Sequence, residues 1–197
     1  TIGGRIRVVK YHPENPSIVY AGSASGGVFK STDGGDTWTP MSDRLPTLAI
    51  GHMALDPSNP DHIYIGTGEG SFNWDKVYGD GVYKSTDGGQ SWENIMKDVI
   101  RDYDLAVNHV EIHPRNSDLM YAAVTFGGGT GGLLRTEDGG ENWTTVINGP
   151  ARDVVLDPTN PDRVFVAFGN ANGRSSNGIY LSEEKGNRWT FEKLTEN

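Results

Sequence analysis

The chain has 197 residues, a formal net charge of −9 and no cysteine. Nucleic-acid binding needs concentrated positive charge, and disulfides, thiol catalysis and zinc–thiolate sites need cysteine, so we expect none of these. No apolar run approaches membrane-spanning length, and the first residues lack the apolar core of a signal peptide. We therefore expect no membrane insertion. We also expect either that the protein is made without a signal peptide, or that this sequence is a mature or excised piece of a longer protein.

Two phrases alternate along the chain. A turn and strand begin at His12, Asp56, His113 and Asp157, as HPENPSIVYAGS, DPSNPDHIYIGT, HPRNSDLMYAAV and DPTNPDRVFVAF. A glycine turn closed by tryptophan begins at Ser31, Ser85, Thr136 and Ser182, as STDGGDTW, STDGGQSW, TEDGGENW and SEEKGNRW. The joint period is near fifty residues, a spacing that indicates a repeat architecture.

Each repeat predicts four antiparallel strands. In the first, RIRVVKY is an inner strand, HPENP a turn, SIVYAGS the second strand, GGVFKS the third, and WTPM begins the fourth. Four strands per repeat are typical of a β-propeller blade. We predict an all-β chain, 1–197, of four blades at about residues 4–47, 48–101, 102–149 and 150–197, forming part of a larger propeller.

The glycine turns are predicted to be structural, because a catalytic loop is normally unique and this one repeats. The aspartate can accept backbone N–H groups, the glycines can adopt positive φ, and the tryptophan can pack between strands or blades. The residues concerned are Ser31, Asp33, Gly35, Trp38, Ser85, Asp87, Gly89, Trp92, Thr136, Asp138, Gly140, Trp143, Ser182, Glu184, Gly186 and Trp189.

Antiparallel order places both repeated turns at one end of the blades, the uniform face. The other connections lie at the opposite end, the variable face, where loop length differs between repeats and function is expected. The longest such loop is residues 66–81, GTGEGSFNWDKVYGDG, whose aromatic and acidic side chains suit sugar binding. Alternatively, its aromatic rings only fold the loop onto its own blade. The predicted ligand-binding residues are Glu69, Phe72, Trp74, Asp75, Tyr78 and Tyr103.

The glycine turns resemble the Asp-box, or BNR, repeat S-x-D-x-G-x-x-W, from which the fourth departs at Glu184 and Lys185. In that family the box is a hairpin between the third and fourth strands of a propeller blade, remote from the active site. The phrase YHPENPSIVYAGSASGG is similar to the opening blade of xyloglucan-active glycoside hydrolases, but Ala24 stands where they carry a catalytic aspartate. A sialidase is not expected, because Arg7 replaces the proline of its Arg-Ile-Pro phrase.

The opening repeat as a whole, including SASGG and LPTLAIGHMALDP, most resembles sortilin-like Asp-box propellers of large bacterial surface proteins. This resemblance implies a non-catalytic extracellular or cell-surface module that recognises a glycan or protein through its variable face, beside further blades or neighbouring domains. The alternative is a glycoside hydrolase, with Glu69, Asp75 and Asp80 as candidate carboxylates. No cofactor and no metal site are expected, since the five histidines are scattered.

Overall fold

The computed structural model describes residues 4–70, 77–97, 99, 105–126, 130–169, 177–183 and 192–193. They form four antiparallel sheets, each with its four strands in chain order. The strands are β1 Ile6–His12, β2 Asn15–Ser23, β3 Gly27–Ser31, β4 Thr39–Pro40, β5 Ile50–Leu55, β6 Ile63–Thr67, β7 Val82–Ser85, β8 Glu93–Asn94, β9 Ala106–Ile112, β10 Met120–Phe126, β11 Thr130–Thr136, β12 Thr144–Asn148, β13 Ala151–Leu156, β14 Val164–Phe168, β15 Gly178–Ser182 and β16 Glu192–Lys193.

The predicted all-β architecture of four four-stranded blades is confirmed. The limits of the blades remain a prediction. No helix within the described ranges is long and apolar enough to cross a membrane.

The first strand of each sheet lies on the inside. Strands β1, β5, β9 and β13 neighbour one another in chain order, and residues of all four blades border a cavity of about 360 Å³, the central cavity. Apolar side chains of the first three strands fill the space between successive blades, as Tyr64, Val82 and Val110 do between blades 2 and 3. The inner strands are thus the elements that can bring side chains from different blades together.

Each inner strand contains a register shift at the same place, near its variable-face end. The extra residues are Arg7, Gly51, Asn108 and Arg152. A β-bulge leaves one residue outside the normal alternation and so redirects its side chain. Equivalent positions on the four inner strands therefore depart from the regular alternation at the variable-face ends of these strands.

The glycine turns are held by their own side chains. In the first, Ser31 Oγ donates to Asp33 Oδ1 at 2.7 Å and the Thr37 amide donates to the same oxygen at 2.9 Å. Hydrogen bonds from Thr37 and Ser31 keep the pKa of Asp33 well below its usual range. Gly34 and Gly35 have φ of 76° and 108°, which favours glycine.

The turns at Asp87 and Asp138 repeat this network, and hydrogen bonds from Ser91 and Asn142 lower the pKa of each carboxyl to about 2. Of the fourth turn, Ser182 is described and buried, whereas Glu184, Gly186 and Trp189 lie outside the described residues.

The tryptophans of the turns join successive blades. Trp92 Nε1 donates to the Met41 carbonyl of blade 1 at 2.9 Å, and Trp143 Nε1 donates to the Ile95 carbonyl of blade 2 at 3.0 Å. Trp38, in blade 1, instead donates to Gly35 of its own turn at 2.9 Å.

The side of blade 1 that carries Trp38 also exposes apolar residues. Val9 and Tyr11 are 51% and 63% exposed, and with Trp38 they border a cavity of about 400 Å³. This blade flank has the composition of an inter-blade surface, which agrees with an arc that forms part of a larger propeller.

The tryptophan bonds give a testable difference in stability. Trp92→Phe keeps an aromatic ring but leaves the Met41 carbonyl without its donor, so we expect the free energy of unfolding of this chain to fall by about 1–3 kcal/mol. Trp38→Phe removes only a bond within one turn and should cost less than half as much. Urea denaturation followed by far-UV circular dichroism measures both. Equal losses would show that the bond between blades adds nothing to stability.

Candidate functional site

The predicted loop at residues 66–81 consists of the last two residues of β6 and the connection to β7, which leaves and re-enters blade 2 at the variable face. Its first part, residues 66–70, is called the loop root below. Phe72, Trp74 and Asp75 lie outside the described residues, as does Tyr103. Glu69, Tyr78 and Asp80 are described, so the structure places three of the seven predicted ligand or catalytic residues.

Glu69 is buried at the loop root, with 6% of its surface exposed. Its Oε1 accepts from Arg5, with which it forms an ion pair, and lies 3.4 Å from Arg7 Nη1. The Glu69 amide donates to the Val77 carbonyl at 2.7 Å and closes the base of the loop. This acid is therefore held by residues of blade 1 although it belongs to blade 2.

Gly70, the next residue, is contacted from blades 3 and 4. Arg152 Nη1 donates to the Gly70 carbonyl, while Arg152 Nε donates to the Gly169 carbonyl at 2.8 Å. A Cβ at residue 70 would lie 1.9 Å from Asn108 Oδ1, so a larger residue there would require the Asn108 side chain to move. The loop root thus crosses the variable-face ends of the inner strands and contacts all the other blades.

Asp80 and Tyr78 lie at the other end of the loop. The exposed Asp80 accepts at Oδ2 from the Tyr83 hydroxyl and from Asn94 Nδ2, the latter at 3.2 Å. Tyr78 is 51% exposed, and its carbonyl accepts from Thr47 Oγ1 at 3.1 Å. Asp80 is therefore tied to the outer strands β7 and β8, whereas Glu69 is tied to the inner strand β1.

Ala24 follows β2 at the variable face. It is 3% exposed, and its amide donates to the Arg5 carbonyl at 2.9 Å. A buried methyl group therefore occupies the position at which the resembling hydrolases carry a carboxylate.

A polar layer crosses the inner strands just beyond the bulges. The rings of His52 and His109 stack with centroids 3.8 Å apart and planes 23° apart. His109 Nδ1 lies 2.5 Å from Asp153 Oδ1, and His109 Nε2 lies 3.4 Å from Glu111 Oε2. Sequence reasoning missed this layer by treating the histidines singly. His52, His109 and Asp153 each stand four residues before a repeated HP or DP turn, and alignment of the repeats would have grouped them.

The members of this polar layer differ in protonation. Burial, together with the charge of His109, lowers the pKa of His52 to about 3. Burial also disfavours charge on His109, but hydrogen bonds with Asp153 and Glu111 outweigh it and raise the pKa of His109. The His109 bond lowers the pKa of Asp153. The pair that favours charge is thus His109 with Asp153, and the His52 imidazole stacked on His109 is kept neutral. No group of three or more acidic or histidine ligands suited to a metal ion occurs within the described ranges.

Comparison with known proteins supports a BNR-type propeller. The BNR/Asp-box repeat family matches residues 83–94. A xyloglucanase from Hypocrea jecorina is 27% identical over 98% of this chain, and one from a Paenibacillus species is 23% identical over 95% of it. These alignments cover 22% and 21% of the two relatives, so the chain spans about a fifth of their length.

The solved structures agree with this placement. A GH74 enzyme from Niastella koreensis matches with a TM-score of 0.73 and 26% identity over 94% of this chain and 29% of that one. An ancestral GH74 enzyme matches with a TM-score of 0.73 and 23% identity over 95% of this chain and 24% of that one. The prediction of a BNR-type propeller is confirmed by the repeat match and the shared fold.

The prediction of a non-catalytic binding module is wrong in the light of these relatives. Three relatives that align with nearly the whole chain are named as xyloglucanases, which supports the alternative of a glycoside hydrolase. Ala24 is a misleading signal, because one missing carboxylate in one blade is not evidence against catalysis by residues elsewhere.

The His109–Asp153 pair predicts a pH-dependent mutational cost. We expect His109→Asn to lower the free energy of unfolding more at pH 5 than at pH 9, by on the order of 1 kcal/mol, because Asp153 is more than half exposed and solvent weakens the pair. A histidine with a raised pKa stabilises the fold fully below about pH 6.5, and this contribution is lost as the pH rises through the folded-state value.

Urea unfolding of His109→Asn, Asp153→Asn and the double variant at both pH values measures the coupling. The same three variants should also be measured in a His52→Asn background. The lowered pKa of His52 has the opposite effect, because it costs stability as the pH falls below about 6.5. A coupling that is the same at pH 5 and pH 9 would contradict the charged-pair assignment.

Proposed function

We propose that this chain is a four-blade portion of a glycoside hydrolase that acts on a xyloglucan-type polysaccharide. The observation that carries the proposal is the alignment of nearly the whole chain with proteins named xyloglucanases. The shared propeller fold with GH74 enzymes supports it.

The variable face is the proposed substrate surface. The root of the loop at residues 66–81 is held by other blades, and Tyr78, at the other end of that loop, is half exposed. A ring of this kind offers an apolar surface with a polar edge, which suits the apolar face of a sugar. The roles of Phe72, Trp74 and Tyr103 as further stacking residues remain predictions.

Glycoside hydrolysis uses two carboxyl groups that flank the scissile bond. Ala24 supplies none, and Glu69 is buried between arginines. We therefore assign to this chain one candidate, Asp80, whose exposed carboxylate is oriented by Tyr83 and Asn94. Asp75 remains a prediction for the second carboxyl group, and the alternative is a residue in another part of the propeller.

We also propose an extracellular or cell-surface location, because a polysaccharide substrate is too large to enter cells intact. The further blades and neighbouring domains of a larger protein would complete the substrate cleft. The sortilin-like resemblance and recognition of a protein ligand remain predictions from the sequence.

The assignment of Asp80 can be tested by hydrolysis. The intact natural polypeptide that contains this chain should release reducing ends from xyloglucan, and Asp80→Asn should lower kcat by about a hundredfold or more. The matched control is Asp36→Asn, which removes an exposed carboxylate from a glycine turn on the uniform face and should leave kcat unchanged. Full activity in Asp80→Asn would remove Asp80 from the mechanism. Absence of hydrolysis by the natural protein would overturn the proposed function.

A further inference from the structure

We infer that Glu69 is a positioning residue and not a reacting acid. With Arg5 and Arg7 of blade 1 and Arg152 of blade 4, it clamps the loop root across the variable-face ends of the inner strands. The clamp follows from the contacts alone, and its part in holding the substrate loop in place rests on the proposed function.

The burial of Glu69 argues against proton transfer to a substrate. A carboxyl group that reacts must reach the glycosidic bond, but Glu69 exposes only 6% of its surface. A buried carboxylate needs charged or hydrogen-bonding partners to offset its lost hydration, and the two guanidinium groups supply them. Removal of the carboxylate charge should therefore loosen the root.

The bulges show that the clamp is built by several blades. Arg7 and Arg152 are the bulge residues of β1 and β13, and both reach the loop root. A bulge redirects a side chain that regular alternation would place elsewhere. Two bulges, one in blade 1 and one in blade 4, thus direct guanidinium groups toward the adjacent residues Glu69 and Gly70 of blade 2.

The other two bulge residues meet the same segment. Asn108, from β9, lies against Gly70 and donates to the Ala151 carbonyl of blade 4 at 2.8 Å. At Gly51, from β5, a Cβ would lie 2.3 Å from the Val107 carbonyl oxygen and 2.8 Å from that of Gly68. All four equivalent positions therefore either contact the loop root or leave space for it.

The experiment compares Glu69→Gln with natural protein in two assays on the intact polypeptide, amide hydrogen exchange and xyloglucan hydrolysis. We expect exchange at residues 66–70 and 77–81 to accelerate by about tenfold or more, because the buried carboxylate charge that pairs with Arg5 and Arg7 is removed. KM should rise several-fold while kcat changes by less than about threefold, since no reacting group is lost.

Arg152→Gln removes a different contact to the loop root, the bond to the Gly70 carbonyl, and leaves Glu69 unchanged. It should also accelerate amide hydrogen exchange at the loop root. Glu137→Gln is the matched control, because it removes a glutamate paired with the buried Arg135 at the glycine turn of blade 3. This control should leave exchange at the loop root unchanged.

A fall in kcat of about a hundredfold in Glu69→Gln, with unchanged exchange, would overturn the inference and make Glu69 a reacting group. Unchanged exchange in both Glu69→Gln and Arg152→Gln would also overturn it. If the natural protein does not hydrolyse xyloglucan, the proposed function fails, but the exchange assay still decides whether the clamp exists.

Discussion

Hydrogen bonds from an indole N–H to a backbone carbonyl of the preceding blade join the first three blades of this protein. Trp92 donates to Met41 and Trp143 donates to Ile95. Both acceptor residues directly follow the fourth strand of their blade, which has only two residues. Such short outer strands leave carbonyls that need a donor, and the tryptophan supplies both the donor and a large apolar surface. The spacing of the inner strands, and with it the variable face, depends on this joint.

The two faces of the blades divide the work of the acidic residues. On the uniform face, the carboxylates accept hydrogen bonds within their own turns, as those of Asp33, Asp87 and Asp138 do. Those turns fix the third and fourth strands and leave the opposite ends free to vary. On the variable face, carboxylates either hold a loop from within, as Glu69 does, or remain exposed, as Asp80 does. Net charge alone does not distinguish these roles.

Much of the fold is legible in the sequence because the repeat fixes both the strand number and the turn positions. The HP or DP turns and the glycine turns give the order and the orientation of the strands in every blade. The bulges at Arg7 and Arg152 could not be predicted from the sequence. A single extra residue in a strand gives no recognisable pattern unless the repeats are aligned at that point. Consequently the loop at residues 66–81 was predicted as a functional loop, but its clamp was not.

Function was harder to predict for a related reason. The proposed substrate face extends over several blades, so one arc need not hold both carboxyl groups that the proposed reaction uses. Ala24 shows that this blade lacks one carboxylate, and it says nothing about the others.

The most direct measurement is a crystal structure of the intact polypeptide with a xyloglucan oligosaccharide. Our account predicts that the sugar lies on the variable face, in contact with Tyr78 and beside the loop root, with Glu69 still paired to Arg5. A sugar bound at the uniform face, or none bound at saturating concentration, would contradict it.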